Sequence, residues 1–402
     1  MLFTEYDLRG IFKKDLTLEI IYNVVYQFFK KLKIKKALLA VDFNKNNLLI
    51  KNFLEKNFPF EFLGILPTPI FYYEVIKRKK PGIMITASHL PLKYSGLKFI
   101  LENGEPWKPT LQSKSTRIGA DKITLINVDN IRVDQRDKYP HRSALNNYFN
   151  HLQKIIKPKK KIYVSFDKKN FFLNSSLPYF QKLKIYHQKN SPIKIRSDFD
   201  NDRIFVFFNN RKIHNDLIFY FLAKLPRYQK LGVPTFFSQK LKNELLKIGK
   251  KIYFVPTGHY FFKKAFRKYK LDLAFEPTGH FYMFKDLKTE SPYLALGLFL
   301  HLIADLYGSN ADKRGLKDFL NLNSSLQLYR FDINLDLHRV EKIVSFLRKK
   351  FKLKLKKFDG YSLHNQDFYL HIRKSKTENK IRVYYEGSKK YLKEIKKWLM
   401  RI

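Results

Sequence analysis

Three carboxylates alternate with other residues in the middle of the chain, in the run Asp198-Phe199-Asp200-Asn201-Asp202-Arg203. Carboxylates at i, i+2 and i+4 on a tight loop can converge on one hard cation such as Mg²⁺, and the adjoining arginine can meet a phosphate oxygen. An EF-hand loop starts similarly, but it needs Gly at its sixth position and Glu at its twelfth, where this chain has Arg203 and Asn209. The run therefore predicts a metal site, with a solvated acidic turn as the alternative.

A serine at the end of a predicted strand is a candidate nucleophile. It stands in Ile85-Thr86-Ala87-Ser88-His89, where an apolar strand runs into a turn of small residues. Open α/β sheets bind their ligands at strand ends, so Ser88 can face such a ligand. The alternative is a turn serine that caps a helix.

Two similar turns each combine a hydroxyl and an imidazole: Pro256-Thr257-Gly258-His259 and Pro277-Thr278-Gly279-His280. Glu276 precedes the second turn. Its carboxylate, the Thr278 hydroxyl and the His280 imidazole could bind sugar hydroxyls or transfer a proton. The alternative is an internal repeat of two loop turns that bind nothing.

Cations stand on three further loops. In Arg373-Lys374-Ser375-Lys376-Thr377-Glu378, followed by Arg382, cations and hydroxyls alternate, and together with backbone amides they can bind phosphate. A lysine-rich surface is the alternative there. Tyr6-Asp7-Leu8-Arg9-Gly10 and Gly96-Leu97-Lys98 each place one cation on a turn that contains glycine.

Alternating strands and helices must position these residues. Apolar spacing predicts a helix over Leu18 to Leu32 and a strand over Ala37 to Asp42, and the alternation continues along the chain. The segment from Gly104 to Ser143 is polar, and this predicts a loop excursion from the domain followed by a linker. The predicted fold class is α/β, with three tandem mixed α/β domains plus a smaller C-terminal α+β domain. The predicted domains are residues 1–145, 146–231, 232–326 and 327–402.

The composition narrows the class of protein. The chain of 402 residues has 79 Lys and Arg against 35 Asp and Glu, a formal charge of +44, and 45% apolar residues, which is enough for several cores. There is no cysteine, which excludes disulfides and thiolate chemistry. The N-terminus lacks the apolar segment of a signal peptide, and the most apolar stretch, from Tyr293 to Tyr307, is too short to span a membrane. Lysines are dispersed along the chain, so nucleic acid is not the expected partner.

Taken in order, these motifs resemble the α-D-phosphohexomutase superfamily, nearest to its phosphomannomutase/phosphoglucomutase and phosphoglucosamine mutase members. The opening YDLRGIF resembles the first-domain arginine loop of that family, and TASHLPLKYSGLKF resembles its phosphoserine loop. DFDNDR resembles the metal loop of that family, and RKSKTENKIRVYYE resembles its last-domain phosphate loop. FEPTGH resembles its sugar loop, and PTGHYFFK resembles the turn that precedes the sugar loop. The resemblance covers essentially the whole chain and implies four domains around a central cleft.

The resemblance implies a catalytic cycle through a phosphoserine. Ser88 would carry the phosphoryl group to a hexose 1-phosphate and receive the other phosphate back from a hexose 1,6-bisphosphate intermediate. The implied Mg²⁺ ligands are Ser88, Asp198, Asp200 and Asp202. The residues implied for proton transfer and charge stabilisation are Lys98, His280 and Arg9.

The remaining implied residues bind substrate. Arg203 would offset the charge of the transferred group, Glu276 and Thr278 would bind sugar hydroxyls, and Tyr6 and His259 would line the site. The non-reacting phosphate would be held by Arg373, Ser375, Lys376 and Thr377. We expect a cytoplasmic monomer or homodimer whose partners are sugar phosphates.

The chain departs from the family pattern at several positions, and other functions stay open. Leu90 and Lys376 replace the usual residues beside the serine and in the phosphate loop, and the second domain looks shortened between Asp167 and Asp198. The alternatives are a phosphoglucosamine mutase, a phosphatase that uses the same metal loop, and an inactive relative that binds sugar phosphates or other polyanions.

Overall fold

A computed structural model describes residues 6–88, 90–109, 142–307, 313–334, 337–375 and 380–401. The chain divides into two compact units, one from Met1–Asn209 with Asp286–Gly297 and one from Asn210–Lys285 with Leu298–Ile402. Most of the predicted linker between Gly104 and Ser143 lies outside the described residues. Its last two residues are helical.

The strands are β1 (Asp7–Ile11), β2 (Ala37–Val41), β3 (Phe60–Ile65), β4 (Gly82–Ile85), β5 (Tyr94–Ile100), β6 (Ile162–Phe166), β7 (Ile185–His187), β8 (Ile193–Ser197), β9 (Ile204–Phe208), β10 (Arg211–Lys212), β11 (Lys230–Val233), β12 (Lys251–Phe254), β13 (Leu273–Phe275), β14 (Phe281–Met283), β15 (Thr289–Glu290), β16 (Leu328–Ile333), β17 (Lys354–Lys357), β18 (Tyr361–His364), β19 (Phe368–Lys374) and β20 (Ile381–Gly387). The helices are α1 (Leu18–Leu32), α2 (Lys45–Asn57), α3 (Thr68–Arg78), α4 (Arg142–Ile156), α5 (Phe171–Phe180), α6 (Asn215–Lys224), α7 (Gln239–Lys247), α8 (His259–Tyr269), α9 (Phe284–Leu287), α10 (Pro292–Tyr307), α11 (Lys313–Ser325), α12 (Leu337–Lys350) and α13 (Lys389–Arg401).

The first sheet belongs to the first unit and has the strand order β1-β5-β4-β2-β3. Strand β2 is parallel to both β3 and β4, whereas β5 is antiparallel to β4 and β1. Every residue of β2 is buried, as its continuous apolar sequence requires of a central strand covered on both faces. The Thr17 hydroxyl caps α1 by accepting from Ile20 N at 3.3 Å.

The second sheet of this unit presents the acidic run. Strand β6 pairs in parallel with β7 and β8, and β8 pairs antiparallel with β9 from Ser197↔Ile204 onward. The run Asp198–Arg203 is therefore the hairpin loop between β8 and β9. Its position beyond the end of β8 follows from the pairing register.

The second unit contains a mixed sheet and an antiparallel one. In the mixed sheet, β11 is parallel to β12 and β13, and β13 is antiparallel to β14. The last sheet has the order β16-β20-β19-β18-β17, with every neighbouring pair antiparallel. Its core joins apolar residues of α12 and α13 to the strands, among them Ile343, Leu347, Leu370, Val383 and Ile395.

The predicted fold class of repeated mixed α/β domains followed by an α+β domain is confirmed by these four sheets. The helix predicted over Leu18 to Leu32 has the observed bounds of α1. The predicted domain boundaries at 145/146 and 231/232 fall inside α4 and β11, so our proposed four-domain division moves them to the ends of those elements. Within the described ranges, no helix is long and apolar enough to cross a membrane.

A carboxylate from the last sheet caps a helix that packs beside the mixed sheet. Glu386 on β20 accepts hydrogen bonds from Ser238 Oγ at 2.8 Å, Gln239 N at 2.6 Å and Lys240 N at 3.2 Å. The first-turn amides of a helix have no partner inside the helix, and its N-terminus carries partial positive charge. Glu386 therefore both satisfies the start of α7 and fixes it against β20.

We expect Glu386→Gln to lower the free energy of unfolding by about 2 kcal/mol, because an amide nitrogen would face N–H donors that now have a charged acceptor. Chemical denaturation monitored by circular dichroism measures the change. Glu394→Gln is the control, since Glu394 is 39% exposed in its ion pair with Lys350 and should change stability by less than about 0.5 kcal/mol. Equal losses in both variants would contradict the capping role.

Candidate active site

Ser88 lies at the turn that follows β4, and it is almost completely buried. Its backbone has a φ of 56°, a left-handed conformation that is unfavourable for a residue with a side chain. The amide of Ser88 donates to Thr86 Oγ1 at 2.9 Å, and its hydroxyl donates to Asp200 Oδ1 at 3.3 Å. The strained turn thus directs the hydroxyl at the acidic loop of the neighbouring sheet.

The acidic loop is held in place by side chains around it. Asn170 caps α5 by accepting from Leu173 N at 2.9 Å, and its amide also donates to the Asp198 carbonyl at 2.7 Å. The Asn201 amide and the Tyr293 hydroxyl lie 2.7 Å apart, and Asn201 has a φ of 55°. These contacts fix the loop backbone so that its carboxylates point inward.

The loop is also joined to α3 at Asp200. Thr68 at the start of α3 donates its backbone N–H to the Asp200 carbonyl at 3.0 Å and its hydroxyl to Asp200 Oδ2 at 3.0 Å. The Thr86 hydroxyl lies 3.5 Å from the same carboxylate oxygen. Asp200 is therefore the acceptor on which the serine turn and α3 converge.

Lys98 supplies the buried positive charge of this cluster. Its Nζ lies 3.3 Å from Asp200 Oδ2 and 3.1 Å from Asp202 Oδ2. Burial alone would lower the pKa of Lys98, but these two carboxylates raise it well above its ordinary value. Lys98 is accordingly a protonated cation beside the serine turn.

Arg9 lies in the strand next to that of Lys98, and a glycine makes room for it. Arg9 on β1 is directly opposite Gly96 on β5, and its Nη2 contacts Asp7 Oδ2 at 2.6 Å. A Cβ atom at Gly96 would lie 2.7 Å from Thr86 O and 2.8 Å from Leu8 O. Only glycine therefore allows β1 and the serine turn to pack this closely on β5. Tyr6, just before β1, has Lys108 Nζ 6.0 Å from its ring centroid.

The three carboxylates fit a divalent cation. One oxygen from each of Asp198, Asp200 and Asp202 lies within 4.8 Å of the others. Burial raises the pKa of Asp198 and of Asp200, and the neighbouring carboxylates raise both further. Arg203 Nε lies 3.5 Å from Asp198 Oδ2, so this arginine offsets only part of the negative charge. A hard cation with oxygen ligands would remove the remaining repulsion.

Asp42, at the end of β2, is a buried acid close to the serine turn. It is 1% exposed and accepts from Asn47 Nδ2 at 2.6 Å. Burial raises the pKa of Asp42 to about 7, although hydrogen bonding to Thr86 and Asn47 opposes the shift. The sequence motifs do not single out Asp42, Thr68 or Thr86. Asp42 comes directly after a buried strand, and this position is the one feature of the sequence that indicates a place near the site.

In the second unit, the two similar turns lie together. His259 Nε2 is 3.3 Å from His280 Nδ1. Glu276 joins the turns, because its Oε1 accepts from Gly258 N at 2.9 Å and its Oε2 from Tyr282 OH at 2.8 Å. The repeat is thus a pair of loops that cooperate in one imidazole-bearing site, and Thr278 is half-buried at the tip of the second loop.

A network from the last sheet supports the first of these turns. Asp359 Oδ2 accepts from Thr257 N at 2.9 Å and from Thr257 Oγ1 at 2.8 Å. His371 is buried and lies between Ser362 Oγ and the Asp359 carbonyl. Burial lowers the pKa of His371 to about 4, so the imidazole is neutral near pH 7. A neutral ring can donate from Nε2 to the carbonyl and accept at Nδ1.

Arg373 is a buried cation at the end of β19. It is 6% exposed, its guanidinium lies 5.8 Å from the Phe236 ring, and it has no carboxylate partner among the residues that the structure describes. Arg382 is directly opposite on β20, with its Nε 3.8 Å from Asp332. Arg373 Nη1 donates to the Lys374 carbonyl at 3.3 Å, and an anion would further stabilise a guanidinium buried in this way. Ser375 is buried just beyond it, whereas Lys376 and Thr377 lie outside the described residues.

The predicted residues thus form two groups, one in each unit. In the first unit, hydrogen bonds and ion pairs connect Ser88, Lys98, Asp198, Asp200, Asp202 and Arg203. In the second unit, His259, Glu276 and His280 form one cluster, and Arg373 and Ser375 lie at the end of the last sheet.

Comparison with known proteins gives the family context. Residues 1–120 match the family model described as phosphoglucomutase/phosphomannomutase, alpha/beta/alpha domain I. The predicted resemblance to the α-D-phosphohexomutase superfamily is confirmed. The chain is 24% identical to the phosphomannomutase of Methanocaldococcus jannaschii, across 100% of this chain and 98% of that protein. It is 31% identical to a phosphoglucosamine mutase of Prochlorococcus marinus, across 36% of this chain and 32% of that protein.

Solved structures show the same fold over nearly the whole chain. A phosphoglucomutase/phosphomannomutase family protein from Burkholderia thailandensis has a TM-score of 0.76 at 17% identity and covers 100% of this chain and 96% of its own. Parafusin, a phosphoglucomutase from Paramecium, has a TM-score of 0.65 at 16% identity, and the match covers 92% of this chain and 86% of parafusin. The curated relatives are named as phosphomutases, in agreement with the predicted enzyme class.

The raised pKa of Asp42 predicts that the free energy of unfolding depends on pH. Between about pH 4 and pH 7 the folded chain binds a proton at Asp42 that the unfolded chain releases, so the free energy of unfolding falls as pH rises. We expect Asp42→Asn to flatten this part of the profile, measured as denaturation midpoints at several pH values. Glu102→Gln, at an exposed position, is the control and should keep the slope. A slope unchanged in Asp42→Asn would contradict the assignment.

Proposed function

We propose that this chain is a phosphohexomutase that interconverts hexose 1-phosphate and hexose 6-phosphate through a phosphoserine at Ser88. The observation that carries the proposal is the convergence, within one unit, of a strained serine, Lys98 and three carboxylates, of which Asp200 and Asp202 are buried. A structural serine turn would not need a buried lysine and an acidic loop around its hydroxyl. The full-length similarity to a phosphomannomutase supports the same activity.

In the proposed first step, the free hydroxyl of the sugar phosphate attacks the phosphorus of phosphorylated Ser88. The bond from phosphorus to the sugar oxygen forms, and the bond to Ser88 Oγ breaks. The hydroxyl proton passes to an acceptor, for which we propose the His280 imidazole, and Ser88 Oγ takes a proton from Lys98. The resulting hexose 1,6-bisphosphate returns its other phosphate to Ser88 by the reverse step.

Lys98, Arg9 and Arg203 would stabilise the negative charge that shifts between oxygens during transfer. Lys98 suits this role because Asp200 and Asp202 keep it protonated. Asp198, Asp200 and Asp202, with Ser88, would hold Mg²⁺, which when bound would neutralise charge on the transferred group. Asp42 and Thr68 would act as positioning residues through Thr86 and Asp200.

The second unit would bind the substrate. Arg373 and Ser375, with Lys376 and Thr377 from the sequence motif, would hold the phosphate that does not react. Glu276, Thr278 and His259 would contact the sugar. Because both oxygens of Glu276 already accept hydrogen bonds, we propose that Glu276 acts mainly by fixing the two turns.

We propose mannose or glucose phosphate as the substrate, with glucosamine phosphate as the alternative. The full-length phosphomannomutase relative favours the first, whereas several relatives that align over about a third of the chain are phosphoglucosamine mutases. Offering mannose, glucose and glucosamine 1-phosphates in parallel, with Mg²⁺ and a trace of hexose 1,6-bisphosphate, would rank them. Phosphate release without formation of a 6-phosphate would indicate a phosphatase instead.

We expect Ser88→Ala to abolish conversion of every sugar phosphate, because the variant loses the hydroxyl that we propose carries the phosphoryl group. Intact-mass analysis should show loss of the phosphorylated species in the same variant. Ser95→Ala is the matched control, since Ser95 is also fully buried and its hydroxyl makes no hydrogen bond within the described residues. Full activity in Ser88→Ala would overturn the proposal.

We expect Arg373→Ala to raise KM for both the 1-phosphate and the 6-phosphate by roughly tenfold or more, because a charge-assisted bond to phosphate is lost. The chemical step should be affected less, so kcat should fall by a smaller factor. Lys374→Ala, at the exposed neighbouring position, should change neither constant substantially. A fall in kcat with KM unchanged would place Arg373 in the reaction itself.

A further inference from the structure

A cavity lies in the second unit, beside α7 and the Glu386 carboxylate that caps it. It has a volume of about 510 Å³, and its walls come from α7 and β12 on one side and from β17, β18 and the ends of β19 and β20 on the other. This volume is within the range of small-molecule sites, which is roughly 300–1,000 Å³. Strand β19 starts at the cavity with Phe368. Arg373 lies near the other end of this strand, about 17 Å from Phe368 at a rise of about 3.4 Å per residue.

The floor of the cavity is built from buried polar groups. The Tyr369 hydroxyl lies 2.8 Å from the Thr235 carbonyl and 2.9 Å from Ser362 Oγ. Thr235 and Ser362 are both buried, and Ser362 also contacts His371. The floor is therefore an ordered hydroxyl network, which differs from a loosely packed gap between two domains.

Two lysines from opposite walls face this cavity. Lys242 comes from α7 and Lys356 from β17. Burial lowers the pKa of Lys242; the charge of Glu386 opposes the shift and that of Lys356 adds to it. Lys242 Nζ donates to Gln239 Oε1, and Lys356 Nζ lies 5.4 Å from the Phe254 ring centroid. Neither lysine forms an ion pair with a carboxylate in the part of the chain that the structure describes.

Two carboxylates, Glu386 and Asp367, also line the cavity, and Glu386 offsets part of the Lys242 charge. Burial lowers the pKa of His364, and the charges of Lys354 and Lys242 lower it further. A neutral His364 can still donate or accept a hydrogen bond. Glu386 is engaged by the N-terminus of α7, and Asp367 is exposed at the rim. The cavity thus combines two lysines with hydroxyl, imidazole and amide groups, the last from Asn243, Asn365 and Gln366.

We propose that this cavity is a second ligand site, which binds a small phosphate monoester between Lys242 and Lys356. The phosphate would bridge the half-buried Lys242 and the exposed Lys356, and the polar lining would bind hydroxyl groups on the rest of the ligand. Because Lys242 lies on α7 and Lys356 on β17 of the last sheet, the ligand would hold that helix and that sheet together. This site is independent of the proposed catalytic function.

Differential lysine modification followed by peptide mass spectrometry tests the proposal on the full chain. Glucose 6-phosphate, inorganic phosphate and glucose are the probes, and the Arg373→Ala variant is used so that binding at the proposed catalytic site is weakened. We expect glucose 6-phosphate to slow modification of Lys242 and Lys356 several-fold. Lys240, exposed on the same helix and outside the cavity lining, is the control and should react at an unchanged rate.

The phosphate-bearing probes identify which part of the ligand is recognised. Protection by inorganic phosphate as well would support recognition of the phosphate group itself, and protection by glucose 6-phosphate alone would support recognition of the whole ester. Protection by neutral glucose to the same extent, equal protection of Lys240, or no protection by either phosphate would overturn the proposal.

A double variant, Lys242→Gln with Lys356→Gln, provides the second measurement. Calorimetric titration in the Arg373→Ala background should show an affinity for glucose 6-phosphate that is at least roughly tenfold weaker after both charges are removed. Lys240→Gln in that background should leave the affinity unchanged. An affinity unaffected by the double variant would place the binding elsewhere and overturn the proposal.

Discussion

The buried carboxylate of Asp200 is the interaction on which the first unit depends. It accepts from the hydroxyls of Thr68 and Ser88 and lies beside Lys98 Nζ, while the carbonyl of the same residue accepts from Thr68 N. A buried charge is costly unless it is paired and hydrogen-bonded. The two sheets of this unit must therefore be arranged so that a helix start, a serine turn and a strand lysine all reach one side chain.

This constraint explains features that are otherwise unfavourable. Ser88 adopts a left-handed backbone, Gly96 has no space for a side chain, and three carboxylates, two of them buried, lie close together. Each feature costs stability when it is considered alone. Together they produce a site with more negative charge than Lys98 and Arg203 offset, which is the condition that favours a bound cation.

The second unit presents a cation and imidazole groups, whereas the first unit presents carboxylates. It presents a buried guanidinium at Arg373 and paired imidazoles at His259 and His280. Glu276 and Asp359 accept hydrogen bonds from the first of the turns that carry the imidazoles and so hold it in place. Neutral His371 makes the support rigid without adding charge near Arg373. The antiparallel sheet and its neighbour thus position the groups to which we assign phosphate and sugar binding.

The sequence by itself determined the local elements and the chemistry available at their ends. Apolar periodicity predicted α1 over its observed bounds, and the alternating acids, the serine turn and the arginine loop were recognisable because their function depends on residue type and short spacing. Only the tertiary structure brought Ser88 to Asp200, which is 112 positions away in sequence. Asp42 and Thr68 were missed for the same reason: burial and long-range partners, which no local pattern encodes, make them part of the site.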